Sequence, residues 1–408
     1  MNRSRPAFFY LLLIVLCFGD VEKEIQTQLI LAEPGDTIRL EAGVFPILGT
    51  LSMEGKENVV IRGEGMDRTI LSFAGQIEGA QGLSITNCKN IILEDFAVQD
   101  SKGDAIKCQY TDGIVLRRVK AEWLGGPKET NGAYGLYPVQ CENVLIEYCL
   151  AIGASDAGIY VGQSKTIIVR HSEAYHNVAG IEIENSTGAD VYGNNAHDNT
   201  GGILVFDLPD LVVKSGRRVR IFDNVITENN IDNFAPEGNF VGKVPSGTGI
   251  MVMAAEQVEV FNNTIINNKT VGTAVVSYFI TEEVIKDSSY NPYTSAIYVH
   301  DNQYRRKPRI PTLDHEIGKL LFLRFRRRVP DIIYDGMPDP RFVSADGTIP
   351  SDRRFCIGNN TQARYLNLDI SKNFEKWYSP FIARFSTDKD ECTCTQDPLP
   401  ETVLKDFR

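Results

Sequence analysis

Short runs of alternating apolar and polar residues fill most of this chain, and the runs repeat. Gly135-Leu-Tyr-Pro-Val-Gln, Gly158-Ile-Tyr-Val-Gly-Gln, Gly180-Ile-Glu-Ile-Glu-Asn, Gly202-Ile-Leu-Val-Phe-Asp and Gly249-Ile-Met-Val-Met share one pattern, and the first four glycines lie 23, 22 and 22 residues apart. A fixed period of that length with one short strand per unit marks a solenoid of stacked rungs. A second strand recurs in step: Asn90-Ile-Ile-Leu, Gly113-Ile-Val-Leu, Asn143-Val-Leu-Ile, Thr166-Ile-Ile-Val, Asp190-Val-Tyr, Arg218-Val-Arg-Ile and Gln257-Val-Glu-Val. The links between strands show no helical periodicity and are too short for a crossover helix. The pattern therefore predicts an all-β chain, a right-handed parallel β-helix with at least two strands per coil and a rise of about 4.8 Å per coil.

Alternation along each strand assigns the faces. Ile159 and Val161, Ile181 and Ile183, and Ile203 and Val205 are expected inside, stacked as aliphatic ladders. Asparagines recur at the corners (Asn177 and Asn199, then Asn195, Asn224 and Asn263), where a structural ladder is the expected role. Asn-x-Ser/Thr sequons fall at Asn185, Asn262, Asn268 and Asn359. Asp104 and Asp156 occupy matching places before their strands and are read as turn residues. His176 and His197 are expected as solvated turn histidines.

The residues between the buried ones are expected to face solvent. One outward column holds Lys107, Tyr137, Tyr160, Glu182, Leu204 and Met251; its neighbour holds Gln109, Gly162, Glu184, Phe206 and Met253. A cation, phenols and carboxylates on one flat face suit a linear acidic sugar polymer, and a lysine beside a tyrosine would lower the phenol's pKa for acid–base work. Lys107 and Tyr137 are candidate catalytic residues. Tyr160, Glu182, Glu184 and Gln109 are candidate substrate-binding residues. Breaks in the period at 122–131 and 229–247 are loops expected to grip a partner.

The ends read differently. Arg3 and Arg5 precede an apolar run from Ala7 to Phe18, which reads as a signal peptide over 1–19; twelve apolar residues are too few to span a bilayer. Export to the periplasm, cell envelope or medium is expected, with lipidation at Cys17 the lesser reading because Leu16 is bulky. Removing the leader takes Arg3 and Arg5 and no acid, so the formal charge moves from −11 to −13. That balance argues against nucleic-acid partners. No metal site and no cofactor are read from the cysteine spacing. Cys88, Cys108, Cys141 and Cys149 are expected as buried thiols, and a bridge from Cys356 to Cys392 or Cys394 would secure the tail. The solenoid is assigned to 20–302 and a C-terminal extension to 303–408. In the extension, Asp314 is expected to cap a helix carrying Ile317, Leu320, Leu321 and Phe325 that covers the last coil.

Tyr134-Gly-Leu-Tyr-Pro-Val-Gln, the Asn143-Val-Leu-Ile strand and Glu173-Ala-Tyr-His-Asn together resemble the catalytic module of mannuronan epimerases. That family shares a right-handed parallel β-helix with pectate lyases and acts on uronic-acid polymers. Tyr134, Gly135 and Pro138 match its Tyr-Gly-Phe-Asp-Pro-His motif, while Tyr137 and Val139 stand at its catalytic Asp and His. The resemblance thus carries over Tyr134 as a catalytic phenol. The stretch Asn131-Gly-Ala-Tyr-Gly-Leu-Tyr-Pro-Val and the segment Pro330-Asp-Ile-Ile-Tyr-Asp-Gly also look similar to uncharacterised exported bacterial β-helix repeat proteins. That second resemblance implies a cell-envelope setting and a co-secreted protein partner. Two functions stay open: a lyase or epimerase on an acidic polysaccharide, and a non-catalytic glycan- or protein-binding scaffold.

Overall fold

The computed structural model describes residues 21–373 and 385–405; the expected leader lies outside the described residues. The chain winds as a parallel β-helix. A full coil has three strands, within the expectation of at least two: Ala157–Gly162, Lys165–Arg170 and Glu173–Tyr175 make one coil, and Ala179–Glu184, Thr187–Tyr192 and Asn195–His197 the next. The third strand has only three residues, too few to display an alternation. Every named pairing between coils is parallel, and the first strands of successive coils form an 11-stranded sheet that carries the repeated glycine motif.

Ile159, Ile181, Ile203 and Ile250 are register partners, as are Val161, Ile183, Val205 and Val252, and all are buried as expected. Stacking puts each aliphatic side chain on its equivalent in the next rung, so burial is cooperative between neighbours. Two asparagine ladders run beside this core. Asn177, Asn199, Asn229 and Asn268 form one: each side-chain oxygen accepts the backbone N–H of the preceding member at 2.9–3.1 Å. The other links Asn194, Asn224, Asn263, Asn302 and Asn360 in the same way. Asn194, not the expected Asn195, is the ladder member; the Asn195 amide reaches out to Glu173 at 3.1 Å.

The ladder explains the repeated glycines. A Cβ at Gly158 would meet the Asn177 amide nitrogen at 2.6 Å, and at Gly180 the Gly202 carbonyl oxygen at 2.7 Å and the Asn199 amide at 2.8 Å. The asparagine side chain and the next rung's backbone fill the space that any side chain would need. Of the sequons, Asn185 and Asn268 are buried, whereas Asn262 and Asn359 are exposed.

Stacking continues past residue 302, where the pattern seemed to stop. Gln303–Arg305 pairs with Thr264–Ile266, Ile332–Tyr334 with Val271–Val276, and Phe355–Ile357 with Ser295–His300; Tyr365–Asn367 adds to Ile332–Tyr334. Long insertions between these strands hide the period. The helix Glu316–Phe325 starts from His315 rather than Asp314. Its Leu320 and Leu321 pack with Phe206, Met253, Val276 and Ile333, so it lies along the outer face of the glycine-motif sheet rather than across the last coil.

The open first coil is closed by a helix over residues 21–31. Ile25 and Leu29 enter the main core. The Gln26 side chain donates to the Ser52 carbonyl and accepts from its N–H at 2.9 and 2.8 Å, which satisfies an exposed strand edge. Cys356 is bridged to Cys394, one of the two expected pairings, and the four coil cysteines are buried free thiols.

Candidate functional site

The register reproduces both outward columns. Lys107 pairs with Tyr137, Tyr160 with Glu182, Glu182 with Leu204 and Leu204 with Met251. Gly162, Glu184, Phe206 and Met253 align beside them. Their exposure is not as expected. Tyr160, Glu182, Glu184, Leu204, Phe206 and Met253 are buried, and Tyr134, Tyr137 and Lys107 are half-buried. The cover comes from elsewhere in the chain, chiefly the 229–247 insertion and the helix Glu316–Phe325.

The 229–247 loop is held rigidly. The Asn233 amide donates to the carbonyls of Val241 and Val244, both at 3.0 Å, and its oxygen accepts from the N–H of Ala235. This seats Val241 and Val244 in the apolar layer over the sheet and carries Asn239 over Asp156, amide to carboxylate 3.4 Å. Beneath it lies a cavity of about 390 Å³ lined by Tyr134, Asp156, Glu182, Glu184, Asn239 and Phe240, among others. The 122–131 loop does not line it; Asn131 ties that loop to the Gly126 and Gly153 carbonyls.

Three phenols pack together here, and of these Tyr134 lines the cavity. The Tyr134 ring lies 4.4 Å from that of Tyr137 and 4.5 Å from that of Tyr160. The Tyr160 hydroxyl donates to Glu184 at 2.7 Å. This needs a glycine at 162, because a Cβ there would overlap the Tyr160 hydroxyl. Lys107 Nζ sits 5.3 Å from the centre of the Tyr137 ring. Gln109 is drawn away to Gln140 at 3.0 Å and does not reach the cavity.

The electrostatics reverse one expectation. Burial first, then the surrounding carboxylates, push the phenols of Tyr134, Tyr137 and Tyr160 up rather than down. These tyrosines are hydrogen-bond donors at neutral pH, not bases. Among the groups that burial brings near neutrality are two aspartates that the pattern assigns to turns. Burial pushes Asp104 up to about 6, against the opposing pull of Lys107 and the Tyr134 N–H. Burial and the Glu184 charge push Asp156 up to about 8, against the opposing pull of the Tyr134 hydroxyl and the Asn239 amide. Tyr134 thus acts on the charge of both aspartates. Glu182 is raised by burial and by its acidic neighbours, shares a hydrogen bond with Glu184, and keeps one buried oxygen without a partner. The two do not occupy matching places as expected: the register sets Asp104 level with Tyr134 and Ala157, one residue off Asp156, and the cover over Asp156 comes from a loop far along the chain. Among the described residues no group of three or more His, Cys, Asp or Glu side chains is arranged to hold a metal ion.

Residues 67–211 match a family model described as a right handed beta helix region. No curated protein matches the chain. Among solved structures it is similar to the A-module of a mannuronan C-5 epimerase of Azotobacter vinelandii, at 17% identity and a TM-score of 0.53, covering 80% of this chain and 86% of that one. An exopolygalacturonase of Thermotoga maritima is similar at 13% identity and a TM-score of 0.48, over 70% of this chain and 82% of that one. The protein is a right-handed parallel β-helix, and at these identities the likeness is one of fold.

Proposed function

We propose that the protein processes a uronic-acid polysaccharide by acid–base catalysis in the cavity beneath the 229–247 loop, in an exported, bacterial setting. The observation that carries this reading is the pair of aspartates around Tyr134. Asp104, at about 6, is largely ionised at neutral pH; Asp156, at about 8, largely keeps its proton. Two acids whose surroundings separate their pKa values suit opposite roles. Asp104 acts as base, and Asp156 with the Tyr134 hydroxyl acts as acid. Lys107, beside Asp104, is the cation that β-elimination and C5 epimerisation both need to neutralise the sugar carboxylate. Half-buried Tyr137 offers a ring face to the sugar, Tyr160 holds Glu184 in place, and Glu182 and Glu184, which line the cavity, offer hydrogen bonds. Because burial raises the pKa of Asp156 to about 8 and pushes that of Glu182 up as well, the cavity repels an anionic sugar less than its acid count suggests. The shared fold of a mannuronan C-5 epimerase supports the substrate class.

One observation favours a second reading, hydrolysis. Asp104 and Asp156 stand two coils apart, roughly 9–10 Å at the rung spacing of parallel strands, close to the separation at which paired carboxyl groups cleave a glycosidic bond with inversion. Incubation with alginate, pectin and glycosaminoglycans separates the outcomes. Ultraviolet absorbance of an unsaturated sugar reports elimination, and solvent deuterium at C5 without cleavage reports epimerisation. New reducing ends without unsaturation report hydrolysis. Saturable glycan binding with none of the three, by protein of intact fold, returns the scaffold alternative and overturns the proposal.

A further inference from the structure

The basic link that begins at Tyr304 and the arginines after the helix Glu316–Phe325 meet at one corner of the solenoid. Tyr304, Arg306, Arg327, Arg328, Asp331 and Arg364 line a cavity there of about 320 Å³. Four guanidinium groups thus gather around one carboxylate in a chain whose formal charge is −11. Asp331 is already divided between two of them: it lies 3.8 Å from Arg306 Nε and 3.3 Å from Arg364 Nε.

The remaining hydrogen-bond capacity is unequal. The two terminal nitrogens of Arg364 donate to the carbonyls of Arg328 and Val329 at 2.9 and 2.8 Å. Arg306 donates through Nη1 to the Val329 carbonyl at 2.9 Å. Its side chain is only 5% exposed, and its buried Nη2 has no acceptor. A buried cationic donor without a partner is costly. Burial and the Arg364 charge together lower the pKa of Arg306 to about 10, which measures how poorly this charge is compensated. Arg327 and Arg328 are exposed, and among the described residues neither has an ion-pair partner.

We propose that this corner is an oxyanion-binding site, taking a carboxylate, sulfate or phosphate group carried on a molecule up to the size of one sugar. An oxyanion has the acceptor geometry that a guanidinium fork matches in pairs. It would supply both the acceptor that Arg306 Nη2 lacks and the charge that Asp331 alone does not provide. The volume exceeds what a bare ion needs, since a water molecule takes about 30 Å³. The site shares no residue with the cavity lined by Tyr134 and Asp156 and does not depend on the activity assigned there.

The test is calorimetric titration of the full mature chain with sulfate, phosphate, galacturonate and glucose 6-phosphate, at ionic strength held constant with chloride and with neutral galactose as control. Saturable binding of one or more of the four anions, and none of galactose, is expected. Which anions bind tells a free inorganic ion from a sugar acid or a sugar phosphate. The Arg327→Gln/Arg328→Gln variant changes two exposed side chains and keeps the fold, so its affinity is expected to fall by about tenfold or more through lost charge-assisted contacts. No saturable binding by any of the four anions, or equal binding by wild type and variant, overturns the proposal.

Discussion

Asp104 and Asp156 show what a single residue's surroundings do to its chemistry. Both carry carboxyl groups that in water lose their proton well below neutrality. Here burial moves them to about 6 and about 8, on either side of the pH at which acid–base catalysis is most useful. If Asp104 is the base and Asp156 the acid, turnover should rise with pH as Asp104 ionises and fall as Asp156 loses its proton. Asp156→Asn should remove the alkaline limb and lower kcat by about 10²–10⁴-fold, read from initial rates across the pH range. A kcat unchanged in Asp156→Asn with the fold intact would take that residue out of the mechanism. The same shifts affect stability. A carboxyl whose folded pKa is raised favours the protonated native state, so stability falls as pH rises from the unfolded value through the folded one. The columns holding Tyr137, Tyr160, Glu182 and Glu184 were legible because alternation within a strand fixes a face. Their burial was not, because Asn239, which covers Asp156, is 83 residues away in the chain. For the same reason the phenols move up in pKa where a Lys107 neighbour had suggested down.

At the scale of strands and corners, the asparagine ladders carry much of the specificity of the stacking. The Asn199 side chain accepts from the Asn177 N–H and amide and donates to the Ala174 carbonyl. Asn199→Ala leaves these buried groups without partners, at a cost of about 1–3 kcal/mol for each orphaned group; the check is the urea midpoint. Gly180→Ala should be at least as harmful, because the Gly202 carbonyl would lie 2.7 Å from the new Cβ; an unchanged midpoint would show that the coils can separate locally. The glycine period was readable in the sequence, but its cause was not, since the ladder occupies a corner beside a three-residue strand. That short strand also hides which of Asn194 and Asn195 faces the ladder. The outer faces hold a pH-dependent element as well. His197 lies 2.8 Å from both Glu173 and Asp198, and His300 lies 3.1 Å from Glu259 and 2.7 Å from Asp301. Burial opposes their charge, but the carboxylates outweigh it and raise both pKa values. Their stabilisation is therefore complete below the unfolded histidine pKa and disappears as pH rises through the folded one. In His197→Gln/His300→Gln, the loss of stability should be larger at pH 5 than at pH 8, by urea titration at each pH; equal losses would mean that packing alone is affected.

Across the whole molecule, the last residues join coils that are far apart along the axis. From Cys394, bridged to Cys356, the chain runs back along the outer face formed by the second strands. Gln396 donates to the Arg354 carbonyl at 2.8 Å, the Leu399 N–H to Glu259 at 3.0 Å and the Thr402 hydroxyl to Asp190 at 3.1 Å. Lys405 reaches Asp112 and Glu142 at 3.5 and 3.8 Å. Three residues from Leu399 to Thr402 cross the two rungs between Glu259 and Asp190, as an extended segment of about 3.3 Å per residue would. A solenoid is stabilised mainly by neighbouring coils, so it can fray from an end, and a tail that spans many coils opposes this only while its root is fixed. The bridge closes a loop of 38 residues, worth about 3–4 kcal/mol in the chain-entropy account, and it persists only in an oxidising compartment. The exported setting proposed for the protein would keep this bridge oxidised. Protein recovered from the periplasm or medium of a bacterial host should lack residues 1–19 by intact mass and contain the Cys356–Cys394 disulfide by peptide mapping. Reduction, or Cys394→Ser, should free the tail and speed proteolysis of the last coils, while the cavity lined by Tyr134 and Asp156, coils away, keeps its properties. If the reduced protein is cleaved no faster than the oxidised one, the tail is not what holds the coils together.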